Sequence, residues 1–182
     1  MTTKDIVYIA LFAALMAALG VVPPVPASAF GVPITAQSLG PMLAGGILGA
    51  KRGGLSMLLF VVLVAVGLPL LSGGRGGLAV FAGASGGFVI GFIAASFVVG
   101  IIVERFWQNL NMVHVAFASV IGGIIVLYGF GVPWWSISAQ VPMLDVLKGS
   151  MVFIPGDLIK AGLATAIILV TKKSYPLITK VA

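Results

Sequence analysis

Six long apolar segments, separated by short stretches rich in glycine, proline or charge, set the pattern of this chain. A helix needs about 20 consecutive apolar residues to cross the hydrocarbon core of a bilayer, and each segment approaches that length. The pattern therefore predicts an all-α integral membrane protein, a bundle of six transmembrane helices forming one domain over residues 1–182. The predicted spans are residues 6–22, 35–50, 55–71, 84–103, 113–130 and 152–171.

The last apolar segment contains an acid and a base, Asp157 and Lys160. A charged side chain in mid-membrane costs roughly 2.5–3.5 kcal/mol on insertion scales, so such residues usually face protein, a cavity or each other. Residues three apart share one helix face. One interpretation is a ligand site near the outer membrane face. The other is structural: Pro155 and Gly156 restart the helix, Asp157 caps it, and Lys160 is its ion-pair partner. Both can hold together.

Composition excludes most other classes of protein. Hydrophobic residues make up 60% of the chain, charged residues 8%, and the mean hydropathy is +1.24, which excludes an ordinary soluble domain. The chain has no cysteine, one histidine and four acidic residues, so we expect no disulfide and no metal site. His114 and Asp157 are predicted at opposite membrane faces, which argues against a catalytic triad. We therefore expect no enzyme activity.

The basic residues predict the orientation of the chain. Cytoplasmic loops of membrane proteins carry an excess of lysine and arginine. With both termini in the cytoplasm of a plasma-membrane protein, only Arg75 and Lys148 lie outside. The net charge of +6 then comes from the excess of basic residues on the cytoplasmic side, and no nucleic-acid partner is expected. The basic residues placed inside are Lys4, Lys51, Arg52, Arg105, Lys172, Lys173 and Lys180.

Several polar and aromatic side chains fall near the same outer face. Arg75 stands among four glycines at 73–77 and either clamps a ligand carboxylate or is a solvated loop residue. Gln37 either reaches the site or bonds a neighbouring helix. Trp134 and Trp135 fit an interfacial aromatic belt, with stacking on a ligand as the alternative. Gln140 lies in the predicted outer connection 131–150.

Small residues recur at four-residue spacing in the first segment. Ala10, Ala14 and Ala18 form one stripe, and Ala13 and Ala17 form a neighbouring one. Small residues at this spacing let helix backbones approach closely. Such a face packs either within the chain or against another protein, and spacing alone leaves both open.

Two motifs resemble those of a known family. They are Gly-Gly-Arg-Gly-Gly at 73–77, leading to Phe-Ala-Gly-Ala-Ser-Gly-Gly-Phe-Val-Ile-Gly-Phe at 81–92, and Ile-Pro-Gly-Asp-Leu-Ile-Lys at 154–160. With these motifs the whole chain resembles the substrate-binding S components of energy-coupling factor (ECF) transporters, in particular the biotin-specific BioY family. The family usually has Gly-Pro-Thr-Gly-Gly-Tyr where this chain has Gly-Ala-Ser-Gly-Gly-Phe at 83–88.

The resemblance implies a biotin-binding subunit of a vitamin importer, with biotin entering from outside. Its partners would be a transmembrane coupling subunit docked on Ala10, Ala14 and Ala18, two ATPase subunits, and membrane lipids. The chain would carry no cofactor, since it lacks a Walker A motif and its partners would use the ATP. The candidate ligand contacts are Asp157, Lys160, Arg75, Gln37, Gly77, Phe81, Ser85, Trp134 and Gln140.

Two other functions fit a small membrane protein. A stand-alone secondary transporter of biotin or another vitamin would use Asp157 as a proton carrier. The spans hold no further acid for a proton relay, and the one histidine, His114, is predicted at the opposite membrane face. A membrane enzyme acting on lipids would need a nucleophile or a metal cluster at one face, and the sequence offers neither.

Overall fold

The computed structural model describes residues 1–26 and 32–178, most of which are helical. Lys180, assigned above to the cytoplasmic side, lies outside the described residues. Within the described ranges there are seven helices and two isolated β-bridges, Val25 with Ile34 and Leu71 with Arg75. The helices are α1 (Thr3–Gly20), α2 (Leu39–Leu48), α3 (Ala50–Ala65), α4 (Ala79–Ala82), α5 (Gly86–Arg105), α6 (Met112–Ala139) and α7 (Met143–Ser174).

Four of these helices, α1, α5, α6 and α7, are long and apolar enough to cross a membrane. The predicted all-helical membrane fold is therefore confirmed. The predicted count of six spanning helices is not, because α2 and α3 have only 10 and 16 residues. Gly49, with φ of 85°, separates these two helices. A left-handed φ favours glycine, which has no Cβ.

Local sequence explains where several helices begin and end. Thr2 and Asp5 form a reciprocal capping box at the start of α1, and α1 ends shortly before Pro23 and Pro24. The side chain of Asn111 accepts a hydrogen bond from the His114 N–H and so caps α6. These caps satisfy backbone groups that a helix end leaves free.

The sequence predicts a connection between two spans at residues 131–150. This prediction is wrong, because most of these residues are helical. Helix α6 continues to Ala139 with Pro133 inside it, and α7 begins at Met143. Trp135 gives the physical reason: its ring is fully buried in a small cluster and stacks on Phe153 at 6.3 Å between centroids. This burial outweighs the helix-breaking tendency of proline. It also removes Trp135 from the predicted interfacial belt.

Helix α5 is the centre of the bundle and packs against α2, α3 and α6. Glycine makes the closest approach possible: a Cβ on Gly100 would overlap the backbone of Gly49 and Ala50. At the same end of the bundle, Arg52 bonds Asp5 of α1 at 3.4 Å and the carbonyl of Leu177 at 2.6 Å. We call this end, which also carries Lys4, the basic end. The carboxylate of Asp157 lies towards the opposite end.

Candidate functional site

Asp157 and Lys160 meet as their spacing predicts. The Lys160 Nζ lies 2.9 Å from Oδ1 of Asp157, and the aspartate is buried, with 4% of its surface exposed. Pro155 lies in the first turn of the segment Ile154–Ser174, which follows a 3₁₀ turn within α7, so the predicted helix restart and ion pair are present. The predicted capping by Asp157 is wrong, because the segment starts after Phe153 and has no side-chain cap. A buried ion pair needs further hydrogen bonds to offset its lost hydration.

Two other helical segments supply those bonds. The hydroxyl of Ser38 donates to Oδ1 of Asp157 at 2.9 Å and accepts from Lys160 at 2.8 Å. The hydroxyl of Tyr128 donates to Oδ2 of Asp157 at 2.7 Å. Ser38 ends a 3₁₀ turn before α2, and Tyr128 follows the π-helical stretch Ile121–Val126 in α6. Such π turns alter the direction of the side chains after them and are frequent at functional sites.

The four side chains retain unused hydrogen-bonding capacity. Among the described residues, Oδ2 of Asp157 accepts only from Tyr128, and Lys160 uses two of its three N–H groups. One acceptor and one donor position therefore remain close together on this cluster. A small polar group with one donor and one acceptor side by side would complete both.

The cluster lies at the wall of a recess that is bounded by the segment 32–38 before α2, the loop after α3, and helices α5, α6 and α7. The recess encloses a cavity of about 80 Å³, within about 610 Å³ of atom-free space when its open mouth is included. Besides the polar cluster, Thr35, Gln37, Arg75 and Ser85 are polar lining residues, and the rest of the wall is apolar or aromatic. The apolar and aromatic residues include Phe88, Phe92, Leu127 and Phe153. Apolar walls with a few convergent polar groups are typical of small-molecule sites.

Arg75 lines the same recess from the loop after α3. Its Nη1 donates to Ser85 Oγ at 3.2 Å, and its Nε donates to the carbonyl of Ser72 at 3.2 Å. The tight turn before it uses positive φ at Gly73 and Gly74, which explains the glycines around this arginine. In the described ranges the two ion pairs involve Arg52 and Lys160, so the guanidinium of Arg75 has no carboxylate within 4 Å.

Gln37 borders the recess, but its amide is engaged elsewhere. Its Nε2 donates to the carbonyls of Met16 and Leu70 at 3.2 and 3.0 Å, and its Oε1 accepts from the Ser72 N–H at 2.9 Å. Gln37 therefore joins the end of α1 to the loop that carries Arg75. The bond to Met16 is the contact with a neighbouring helix that the sequence offered as an alternative, and the other two bonds go to the loop.

Four other candidate contacts do not line the recess. Gly77 donates its N–H to the Val64 carbonyl, and the carbonyl of Phe81 accepts from the Trp134 ring at 3.1 Å. Gln140 ends α6 in a left-handed conformation and bonds back to Ile137 at 2.8 Å. The sequence predicted a loop around Trp134 and Gln140, whereas α6 extends through Trp134 to Ala139, and neither residue lines the recess. Ser85, by contrast, lines it.

Ser38, Tyr128 and Phe153 also line the recess, although no sequence prediction included them. A lone hydroxyl residue in an apolar segment was the available signal for Ser38 and Tyr128, and it is weak because such residues often bond their own helix. Among the described residues no group of three or more His, Asp or Glu side chains is arranged to hold a metal ion.

The stripe of small residues on α1 faces outward. Ala10, Ala14 and Ala18 are exposed, whereas the neighbouring Ala13 is buried in the core of the bundle. The two stripes thus have different environments. The outward one leaves a smooth face along α1.

A sequence profile described as the BioY family matches residues 1–177. The chain is 46% identical to "Biotin transporter BioY" of Rhizobium etli over 183 residues, covering 98% of each chain. It is 42% identical to "Probable biotin transporter BioY" of Bacillus subtilis over 160 residues, covering 88% of this chain and 86% of that one.

A solved structure matches over almost its whole length. It is the crystal structure of the S-component for biotin from an ECF-type ABC transporter, with a TM-score of 0.91 and 35% identity over 97% of both chains. Transporter relatives and four membrane-length helices make this a multi-pass membrane protein. Since the family profile covers nearly the entire chain, the protein belongs to the BioY family.

Proposed function

We propose that this chain is the biotin-binding membrane subunit of an ECF-type importer and that biotin occupies the recess beside Asp157. The observation that carries this proposal is the buried Asp157–Lys160 pair with free hydrogen-bonding capacity in an apolar-walled recess. Relatives named biotin transporters and the matching S component for biotin support it.

The chemistry of biotin fits the groups that remain free. Its ureido ring has two N–H donors and a carbonyl, which suit the free acceptor position on Asp157 and the free donor of Lys160. Its thioether ring and aliphatic chain suit the walls formed by Phe88 and Phe153. Its carboxylate suits Arg75, because a guanidinium binds carboxylates bidentately.

We expect the recess to widen when the ligand enters. Its cavity of about 80 Å³ is smaller than the roughly 300–1,000 Å³ of ordinary small-molecule pockets. The 3.2 Å bond between Arg75 and Ser85 crosses between the loop after α3 and the start of α5. Breaking it would free the guanidinium for the ligand carboxylate.

The chain would work within a larger assembly. We propose that a transmembrane coupling subunit docks on the exposed stripe Ala10, Ala14 and Ala18, and that two ATPase subunits supply the energy. The chain itself would act without a cofactor and without enzyme activity, as one domain with six membrane crossings, α2 and α3 being the two short ones. Both termini would lie in the cytoplasm, at the basic end.

Isothermal titration of the purified chain tests the proposal. Biotin should release or absorb heat with one site per chain, whereas thiamine should give none. Asp157→Asn should weaken biotin binding by about 1–3 kcal/mol, because a charge-assisted bond becomes a neutral one.

Asp145→Asn is the matched control. Asp145 is an exposed acid of α7 outside the recess, so its substitution should leave biotin affinity unchanged. Heat with thiamine but none with biotin would contradict the proposed ligand. Equal losses of biotin affinity in both variants would show that the loss does not come from a contact in the recess.

A further inference from the structure

We propose that a groove between α3 and α5 binds one acyl chain of an anionic phospholipid, with the lipid phosphate at Lys51. The groove is a cavity of about 480 Å³ that is separate from the biotin recess. Its lining includes Lys51, Gly54, Leu58, Ile93 and Phe97. This inference is independent of the ligand proposed for the recess.

The groove has the chemistry of a site for a hydrocarbon chain. Lys51 is the one charged residue among its lining residues, and the others are apolar. Gly54 forms part of the floor, where a Cβ would lie 3.6 Å from the ring of Phe97, an ordinary contact distance. A polar small molecule would find no hydrogen-bonding partner along these walls.

The dimensions of the groove fit one leaflet of a bilayer. From Lys51 to Leu58, seven residue steps along α3 extend about 10 Å. Ile90 and Phe130 line its other end. One leaflet contributes about 15 Å of hydrocarbon, so an acyl chain in the groove would run from the membrane surface at Lys51 towards the midplane.

The charge at the mouth of the groove is positive and unpaired. Lys51 is exposed and takes part in neither ion pair of the described part of the chain. Its neighbour Arg52 is engaged with Asp5 and the Leu177 carbonyl. The nearby acid Glu104 accepts a hydrogen bond from the Ala50 N–H at 2.9 Å. Lys51 therefore remains available for a lipid phosphate, and the attraction is stronger when the headgroup carries no cation that neutralises the phosphate.

Native mass spectrometry of the full chain released from bilayers tests this site. The bilayers should contain equal amounts of phosphatidylglycerol and phosphatidylcholine with identical acyl chains. We expect one retained phosphatidylglycerol per chain and a clear excess over phosphatidylcholine. Lys51→Gln should lower that excess roughly fivefold. Lys4→Gln removes an exposed lysine from the same end of the bundle, outside the groove, and should not change it.

A second variant fills the groove itself. Gly54→Leu should reduce retention of both lipids at least threefold, because its side chain occupies the space of the acyl chain. Gly162→Leu, on an open face of α7, should retain lipid as the parent chain does. Biotin titration of the same samples shows that the fold is intact and reports separately on the recess.

Three results would overturn the lipid site. They are equal retention of the two lipids by the parent chain, unchanged retention after Gly54→Leu, or a dimer of the chain that Gly54→Leu dissociates. The last result would assign the groove to a second copy of this chain.

Discussion

The carboxylate of Asp157 is held by donors from three parts of the fold. Ser38, Tyr128 and Lys160 donate to it at 2.7–2.9 Å, and each comes from a different helical segment. Leaving a buried charge without its partner costs several kcal/mol. These three donors therefore stabilise the buried carboxylate and fix its orientation. A fixed carboxylate with one free acceptor position can discriminate strongly between ligands, since an analogue that lacks the matching donor leaves it unsatisfied.

Tyr128→Phe removes one hydroxyl group and so tests the hydrogen bonds around Asp157. The ring remains, but Asp157 loses one of its three donors, so biotin affinity should fall by about 1 kcal/mol, or roughly fivefold. Tyr8→Phe is the chemical control, because Tyr8 pairs only with Tyr175 among the described residues, away from the recess. Isothermal titration measures both variants. Tighter binding by Tyr128→Phe would mean that the tyrosine competes with the ligand.

The sequence identified residues of the recess only where the signal was local. The pairing of Asp157 with Lys160 follows from helix periodicity over three residues. Ser38 and Tyr128 are 119 and 29 residues from Asp157, and no local pattern links them to it. Trp134 lies inside α6 and Gln140 directly after it, where the sequence predicted a loop, and their contact with the ligand stays a prediction.

At the scale of elements, the contact of α5 with the start of α3 depends on one missing side chain. A Cβ on Gly100 would overlap the backbone of Ala50, so Gly100→Ala must separate the two helices. We expect a loss of about 1–3 kcal/mol in stability, as for overpacked cores. Thermal unfolding in detergent measures it.

Gly162→Ala is the control for this prediction. Gly162 lies inside α7 with no atom near its would-be Cβ, so the substitution should be neutral or stabilising by up to about 1 kcal/mol through helix propensity. Equal stability of the two alanine variants would show that the α3–α5 contact is loose.

Elements were predictable in type but not in extent. Apolar length identified every long helix, because a buried or lipid-facing helix needs a continuous apolar run. The sequence around Pro133 indicated a loop, yet α6 runs on to Ala139 because Trp135 is buried between Phe88 and Phe153. The end of α6 is therefore set by contacts between segments distant in the chain, and not by the helix propensity of the residues around Pro133.

For the whole molecule, the two faces of α1 separate internal packing from assembly. Ala13 and Met16 are buried, whereas Ala14 is exposed at the middle of the outward stripe. Ala14→Phe should therefore leave biotin binding intact but reduce uptake by cells at least tenfold, because a large ring prevents close helix approach. Ala166→Phe, at an exposed position of α7, is the control and should transport normally. Normal uptake by Ala14→Phe would contradict docking through this stripe.

The orientation of the molecule can be tested because the chain has no cysteine. Lys4 is exposed at the basic end, and Lys148 is exposed on the first turns of α7 beyond the recess. If positive charge directs the basic end to the cytoplasm, a membrane-impermeant maleimide should label Lys148→Cys in intact cells. It should label Lys4→Cys only after permeabilisation. Biotin would then enter from the side where Arg75 lines the recess. Labelling of Lys4→Cys in intact cells would reverse the topology and direct the recess towards the cytoplasm, which contradicts an importer that captures its ligand outside.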